Sequence, residues 1–445
     1  MGQYLRSGYT TGICAAAAAK AAAVFLLTGR KPEKIKVCLE QDKKAEFYVE
    51  YLQGDGSWCR VRKDAGDDPD VTNGVWVYGG VFCVDSFRWE ELCRQEKGYV
   101  LEEYPALYLT GGLGIGVVTK PGLSCPIGHY AINPAPRRQI LGAVDEVRKK
   151  VSYEGRLEVS VAVPDGFWLA PKTFNPRLGI VGGISVLGTT GIVKPMSEEA
   201  LVETIRLEIR MKAAAGEPLL LLTPGNYGEM FLLQEMNITL GEAVRCSNFV
   251  KDSVKMAVEE GFHKILLVGH IGKLVKVAGG AENTHSKYGD GRMEEMERLT
   301  KECVEGTAEW NDSQTKKNNQ TENDSQMRIG NQIEKDNQIG RDNQTDNGHP
   351  TKNYSWEKLF KAVRRSNTTE ESIGILKEAG LDRQVLSKGA EKVKRQMEQW
   401  GEGALKAEVI VFSSAHKVMG KTRNADEFIQ KYFHRKENLN GKGVL

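Results

Sequence analysis

Pro218-Leu-Leu-Leu-Leu-Thr223 is a continuous apolar run that breaks at once into Pro224-Gly-Asn-Tyr-Gly228. A run with no polar alternation reads as a strand buried on both faces, the kind found in a parallel sheet covered by helices. Lys264-Ile-Leu-Leu-Val-Gly269 repeats the pattern, and Ala407–Phe412 repeats it once more. Ala243–Cys246 adds a shorter strand, and helical stretches at Tyr227–Glu235 and Asn248–Gly261 separate them. Ser197-Glu-Glu opens an earlier helix with a capping signature that carries it to Ala215. The expectation is a small α/β domain over 195–445, with a mainly parallel sheet of about four strands.

Outward from this core, residues 1–194 read as a separate α+β domain. Thr10-Thr11-Gly12 precedes an alanine run ending at Leu27, with Gly29 beyond it, which gives a helix cap, a high-propensity helix and a terminating glycine. Its smooth face admits either another backbone or a flat ligand. Strands follow at Lys34–Leu39, Ala45–Tyr51, Trp58–Lys63, Val75–Val84 and Tyr104–Thr110, then a helix near Pro136–Lys150 and a strand at Leu157–Val163. At the other end, helices are expected at Trp356–Arg365, Thr369–Ala379 and Arg383–Trp400. Residues 310–353 collapse into an Asn/Gln-rich hexapeptide repeat with almost no apolar content, expected to be a disordered insertion.

Composition narrows the function. Apolar residues make up 40% and charged residues 27%, and the formal charge of +2 offers no global basic field for nucleic acid. Cys14–Leu27 resembles a signal segment, but Lys20 interrupts it and no cleavage site follows, so no membrane partner and a cytoplasmic location are expected. The eight cysteines form no C-x-x-C pair. Asp64, Asp67, Asp68 and Asp70 lack EF-hand spacing, and no paired metal ligands occur, so no protein metal site is expected.

Ligands of open parallel sheets bind beyond the carboxyl ends of the strands. Four such ends are Thr223–Gly228, Cys246–Phe249, Gly269–Lys273 and Ser413–His416, all rich in Gly, Ser, Asn or His. The strand at 264 is expected to break into a Gly-Lys loop. It leads to Ala278–Met293, whose glycines, Thr-His-Ser triplet, Lys, Asp and Arg suit close approach to a ligand. Gly111-Gly-Leu-Gly-Ile-Gly116 resembles a nucleotide loop, but Val117-Val-Thr-Lys-Pro121 replaces the helix that such a loop needs. Lysines and arginines near these loops suit a polyanionic small ligand.

Taken together, Gly8–Lys20, Lys63–Gly74, Thr119–Leu123, Ala131–Pro134, Phe174–Ser185, Leu187–Ser197, Thr223–Glu229, Val268–Lys273, Asn283–Lys287 and Asp290–Glu294 resemble the cobalt-precorrin-5B C1-methyltransferase family of anaerobic cobalamin biosynthesis. The repeat at 310–353 and the stretch Ser124–His129 depart from the family pattern. The resemblance implies methyl transfer from S-adenosylmethionine to C-1 of a polyanionic tetrapyrrole that carries its own cobalt, giving cobalt-precorrin-6A. It also implies a permuted ribosomal-protein-type fold in the first domain, and a homo-oligomer is compatible with it.

On this reading S-adenosylmethionine meets Pro224, Gly225, Asn226, Tyr227, Gly228, Gly269, His270, Gly272 and Lys273. The macrocycle lies between the domains against Thr10, Thr11, Gly12, Arg177, Gly183, Ser185, Thr189 and Thr190, and against Asn283, Thr284, Lys287 and Arg292. His285 and Asp290 are the candidates for proton transfer. Two alternatives remain from other classes: a small-molecule kinase using Gly111–Gly116, and a non-catalytic corrinoid-binding protein.

Overall fold

A computed structural model describes residues 5–39, 43–52, 57–305, 356–416 and 418–430. The repeat at 310–353 lies outside the described residues. The chain divides into two compact units, Met1–Glu217 and Pro218–Leu445. The cut read from sequence, between Lys194 and Pro195, falls one helix earlier: Glu198–Ala214 belongs to the first unit, where its Met211 packs with Val118, Leu178 and Ile180.

The first unit is organised by the helix Thr11–Thr28. Thr10 caps it, its hydroxyl accepting the Ile13 amide at 3.3 Å, and Gly29 ends it in the left-handed region at φ 67°. Every alanine of the run is fully buried. The helix lies on the strands Ser57–Arg62 and Trp76–Val84 and beside the helix Pro134–Lys150. A Cβ on Gly79 would collide with the backbone of Ala18 and Ala19, so alanines on one side and a glycine on the other let helix and sheet backbones touch. The smooth face therefore serves a backbone, not a flat ligand. The helix is apolar and long enough to cross a membrane, yet most of it is buried inside the protein. Lys20, its one charge, reaches Glu146 at 2.5 Å.

The sheet beneath it has six strands in the order Glu50–Tyr51, Ser57–Arg62, Trp76–Val84, Arg156–Ala162, Tyr104–Gly111, Tyr99–Leu101. All neighbours are antiparallel except Tyr104–Gly111 and Arg156–Ala162, which run parallel because the helix Pro134–Lys150 carries the chain back between them. Ser86–Gln95, left without an element by the sequence reading, is a helix capped by Asp85.

The second unit holds a five-stranded sheet in the order Val244–Arg245, Leu220–Thr223, Lys264–His270, Lys406–Ser413, Val418–Lys421. The first four are parallel and the last is an antiparallel edge that the sequence reading lacks. In chain order this is 2-1-3-4-5, so connections from the first and third strands leave in opposite directions and open a crevice between them. One expectation is corrected here. His270 is followed not by a Gly-Lys loop but by the helix Ile271–Ala278, which His270 itself caps. Leu274, Val275, Val277 and Ala278 are buried at helical spacing, and that packing outweighs the single unfavourable Gly272.

Candidate functional site

The crevice of the second unit is built from three rim loops that cross-link one another. After Leu220–Thr223 the chain turns through Gly225, whose φ of 144° and ψ of −175° are essentially open only to glycine, into the helix Asn226–Met236. After Val244–Arg245 it turns through Ser247 at φ 52°, a left-handed conformation unusual for a side-chain-bearing residue. From the third strand's helix, Lys273 donates from Nζ to the Pro224 carbonyl at 2.6 Å and to the Ser247 carbonyl at 3.2 Å. One ammonium thus fastens all three loops. Burial pushes its pKa below the ordinary lysine value, and nearby Lys276 adds to that. Arg245 donates to Asn226 Oδ1 at 3.0 Å and draws the first two loops together again.

The rim glycines do different things. A Cβ on Gly228 would overlap the Thr223 hydroxyl, and one on Gly269 would press on Pro224 and Leu274 at 2.9 Å. One on Gly272 would stand 3.2 Å from His270 Nδ1. These three make room for the protein itself. Gly225 differs: within 4 Å of its missing Cβ there is only Lys273 Nζ, at 3.8 Å. It leaves open space at the mouth of the crevice, beside the exposed Tyr227, whose ring centre lies 5.9 Å from that of His270.

His270 is held on both nitrogens. Nδ1 accepts the Gly272 amide at 3.1 Å, so the ring proton sits on Nε2, 2.5 Å from Glu370 Oε1. The other Glu370 oxygen accepts the Ser413 hydroxyl at 2.5 Å, and His416 Nε2 lies 2.8 Å from the Glu370 carbonyl oxygen. This chain of bonds ties the first turn of the helix Thr369–Glu378 to the carboxyl ends of two strands. Glu370 was missed by the sequence reading. The helix Thr369–Glu378 that carries it was expected from the sequence, but no local pattern reveals a partner one hundred residues away. Cys246 offers no nucleophile here, since burial raises its thiol pKa to about 12.

The segment after Ala278 docks on this rim. Thr284 donates from its backbone to the Asn248 carbonyl and from its hydroxyl to Asn248 Oδ1, both at 3.1 Å. Asn283 Oδ1 accepts the His285 amide at 2.9 Å, and His285 Nδ1 accepts the Lys287 amide at 3.1 Å. Asp290 forms a two-pronged pair with Arg292, and the Arg292 hydrogen bond holds its carboxyl below the ordinary range. Lys276 reaches the Gly289 carbonyl at 3.0 Å and closes the loop back on its helix.

The candidates in the first unit are mostly internal. Thr10, Thr11 and Gly12 are buried under the stretch Leu187–Gly191, which takes the Gly12 amide on the Leu187 carbonyl at 3.3 Å and gives the Gly191 carbonyl to Thr10 at 3.0 Å. Gly183 is buried on the Gly114 backbone, Ser185 donates its amide to Asn175 Oδ1 at 3.1 Å, and Arg177 pairs with Glu208 at 3.2 Å. Thr189 and Thr190 are exposed.

The glycine loop 111–116 directs its amides inward. Gly112 bonds the Val161 carbonyl at 2.7 Å, Ile115 the Gly112 carbonyl at 3.1 Å and Gly116 the Ile184 carbonyl at 2.9 Å. No helix follows it but the short strand Val117–Val118. It is no phosphate cradle, which removes the support for a kinase. The aspartate loop is structural too: Asp64 pairs with Arg6, Asp70 with the buried Lys63 at 2.5 Å, and Asp68 accepts the Met196 amide at 3.1 Å. Among the described residues no His/Cys/Asp/Glu cluster suits a metal ion.

Comparison with known proteins bears on this geometry. The sequence pattern of the family described as CbiD matches residues 1–195, and that of its C-terminal domain matches residues 356–423. The cobalt-precorrin-5B C(1)-methyltransferase of Ruminiclostridium cellulolyticum is 45% identical over 66% of this chain and 72% of its own length. The enzyme of that name from Alkaliphilus metalliredigens is 33% identical over 96% of this chain and 95% of its own. The solved cobalamin biosynthesis protein CbiD from Archaeoglobus fulgidus is 28% identical, covering 65% of this chain and 84% of that one, with a TM-score of 0.34.

Proposed function

The chain belongs to the cobalt-precorrin-5B C(1)-methyltransferase family, CbiD, and from that membership we propose how its residues bring donor and acceptor together. It is a methyltransferase that methylates C-1 of cobalt-precorrin-5B in cobalamin biosynthesis, not a kinase or a passive corrinoid carrier. We take its methyl donor to be S-adenosylmethionine and the cobalt to arrive within the substrate. We place the enzyme in the cytoplasm and read the mixed sheet of the first unit as the permuted ribosomal-protein-type fold.

The observation that carries the donor's location is Gly225, the one rim glycine whose missing side chain opens onto the crevice at the switch point of a parallel sheet. The surrounding groups fit such a molecule. The first turns of the helices Asn226–Met236 and Ile271–Ala278 converge there, and their partial positive charge favours a carboxylate. Tyr227 offers an exposed ring to a flat base. When bound, the donor supplies an electrophilic methyl group. The protein's task is then orientation and exclusion of water, since most of such a rate can come from positioning two bound molecules.

Lys273, committed to two carbonyls, acts as the brace of the rim. His270, with both nitrogens engaged, orients that rim and moves no proton. His285 keeps Nε2 toward solvent as a ligand contact, and Asp290 sets the Arg292 guanidinium toward a substrate carboxylate. Calorimetry with S-adenosylhomocysteine, paired with single-turnover transfer of a labelled methyl group, tests this reading. Loss of both on Gly225→Ala in a folded protein supports it, and unchanged affinity refutes the placement.

A further inference from the structure

The loops at the carboxyl ends of Tyr104–Gly111 and Arg156–Ala162, the parallel pair within the six-stranded sheet, carry an unusual surface. Trp168 is 74% exposed, Leu113 70% and Phe167 51%, and the two aromatic rings stand perpendicular with centres 5.0 Å apart. Scattered exposed apolar groups need no explanation, but a cluster of this size on one edge does.

The aromatics are not on a loose tip. Their short helical turn is pinned where the Trp168 and Leu169 amides both bond the Asp165 carbonyl at 3.0 Å. Gly166 sits so close to the Gly114 carbonyl that no side chain would fit, and Gly183 abuts the same carbonyl. Glycines thus bring the segments around 113, 167 and 182 into backbone contact. Gly182, at φ 84°, has nothing within 4 Å of its missing Cβ, so a flat body can lie against the chain there.

We propose that this surface is a stacking platform for the flat macrocycle of the substrate, with Trp168 as its principal contact. The inference takes the ligand's chemistry from the family reading but not its position. Charge agrees with an anionic occupant: Lys172 is exposed at the end of the same segment, and exposed Lys120 lays its stem across Gly179. Asp165 is the only acidic residue between 163 and 172. Cations at the rim of an aromatic floor suit a ring bearing carboxylates on its periphery. They suit a second copy of this near-neutral chain less well.

Titration of the full chain with uroporphyrin III, a flat ring carboxylated on every side chain, tests the platform through absorbance and tryptophan emission. Trp168→Ala weakens binding roughly ten-fold, the size of one lost stacking contact. Trp168→Phe restores most of it, and Lys172→Glu weakens it in a salt-dependent way. S-adenosylhomocysteine affinity stays unchanged in all three variants. Equal affinity of wild type and Trp168→Ala overturns the proposal. So does a Trp168→Ala chain that instead loses self-association by sedimentation, which marks a dimer face. A Gly225→Ala chain that still binds S-adenosylhomocysteine sinks the rim assignment while leaving the platform standing.

Discussion

Gly111–Gly116 in the first unit and Pro224–Gly228 in the second both follow a core strand with a glycine-rich turn, and their backbones do opposite work. In the first, Gly114 lies so close to the Val163 carbonyl that a Cβ would overlap it, and the loop amides face the chain's own carbonyls. What it offers outward is side chain: Leu113, with Phe167 and Trp168 beside it. In the second, the loop is braced from behind by Lys273 and opens at Gly225. What it offers outward is backbone and helix termini. A glycine motif is therefore ambiguous until its neighbours are known, because the same missing side chain can admit a ligand or another segment of the protein.

The comparison breaks most sharply by adding a methyl group to each loop. Gly114→Ala combines overpacking with a left-handed backbone at φ 79° and should destabilise the first unit by about 3 kcal/mol or more, read as a lowered urea midpoint. Its S-adenosylhomocysteine affinity per folded molecule should not change. Gly225→Ala should do the reverse, losing about 100-fold in that affinity through a misplaced rim, with a smaller loss of stability. If both variants lose stability alone, the two loops are equivalent and the contrast fails.

Smaller effects sharpen the picture. Glu370→Gln keeps the shape but replaces a charge-assisted bond to His270 with a neutral one, and should cost roughly 1 kcal/mol of stability in the second unit. Imidazole NMR should then show a shifted His270 Nε2–H resonance, with the proton still on Nε2 because the Gly272 amide continues to occupy Nδ1. The smallest effect is acid sensitivity of the aspartate loop. Burial alone would raise the Asp70 carboxyl, but Lys63 and the Thr72 hydrogen bonds outweigh it and leave its pKa depressed. Such a group contributes stability above the unfolded carboxylate value of about 3.9, lost as pH falls through the folded value. Asp70→Asn should flatten stability between pH 5 and pH 2, whereas Asp290→Asn, on an exposed pair, should barely alter it.

Much of this frame was legible locally. Unbroken apolar runs located the parallel strands, and Thr10 and Ser197 each announced the helix that they cap. The rim loops named from their composition do meet, joined through Lys273 and Arg245. What stayed hidden depends on partners distant in sequence. Gly272 looked like a loop residue because the packing that makes Ile271–Ala278 a helix comes from elsewhere in the fold. Val418–Lys421 is an edge strand too short to show a period. Neither Glu370 nor Trp168 carries a motif: the first is marked by what it bonds, the second by what fails to cover it.

The alanine helix has a consequence for how the chain acquires its shape. Its composition lets it coil unaided, yet the strand bearing Gly79 follows some fifty residues later in the chain and the Glu146 that pairs with Lys20 comes later still. Until the strands Ser57–Arg62 and Trp76–Val84 have been made, a largely apolar rod lacks the sheet it lies on. Folding of the first unit is then limited by a long-range closure rather than by helix formation, and the nascent segment is a natural client for chaperones.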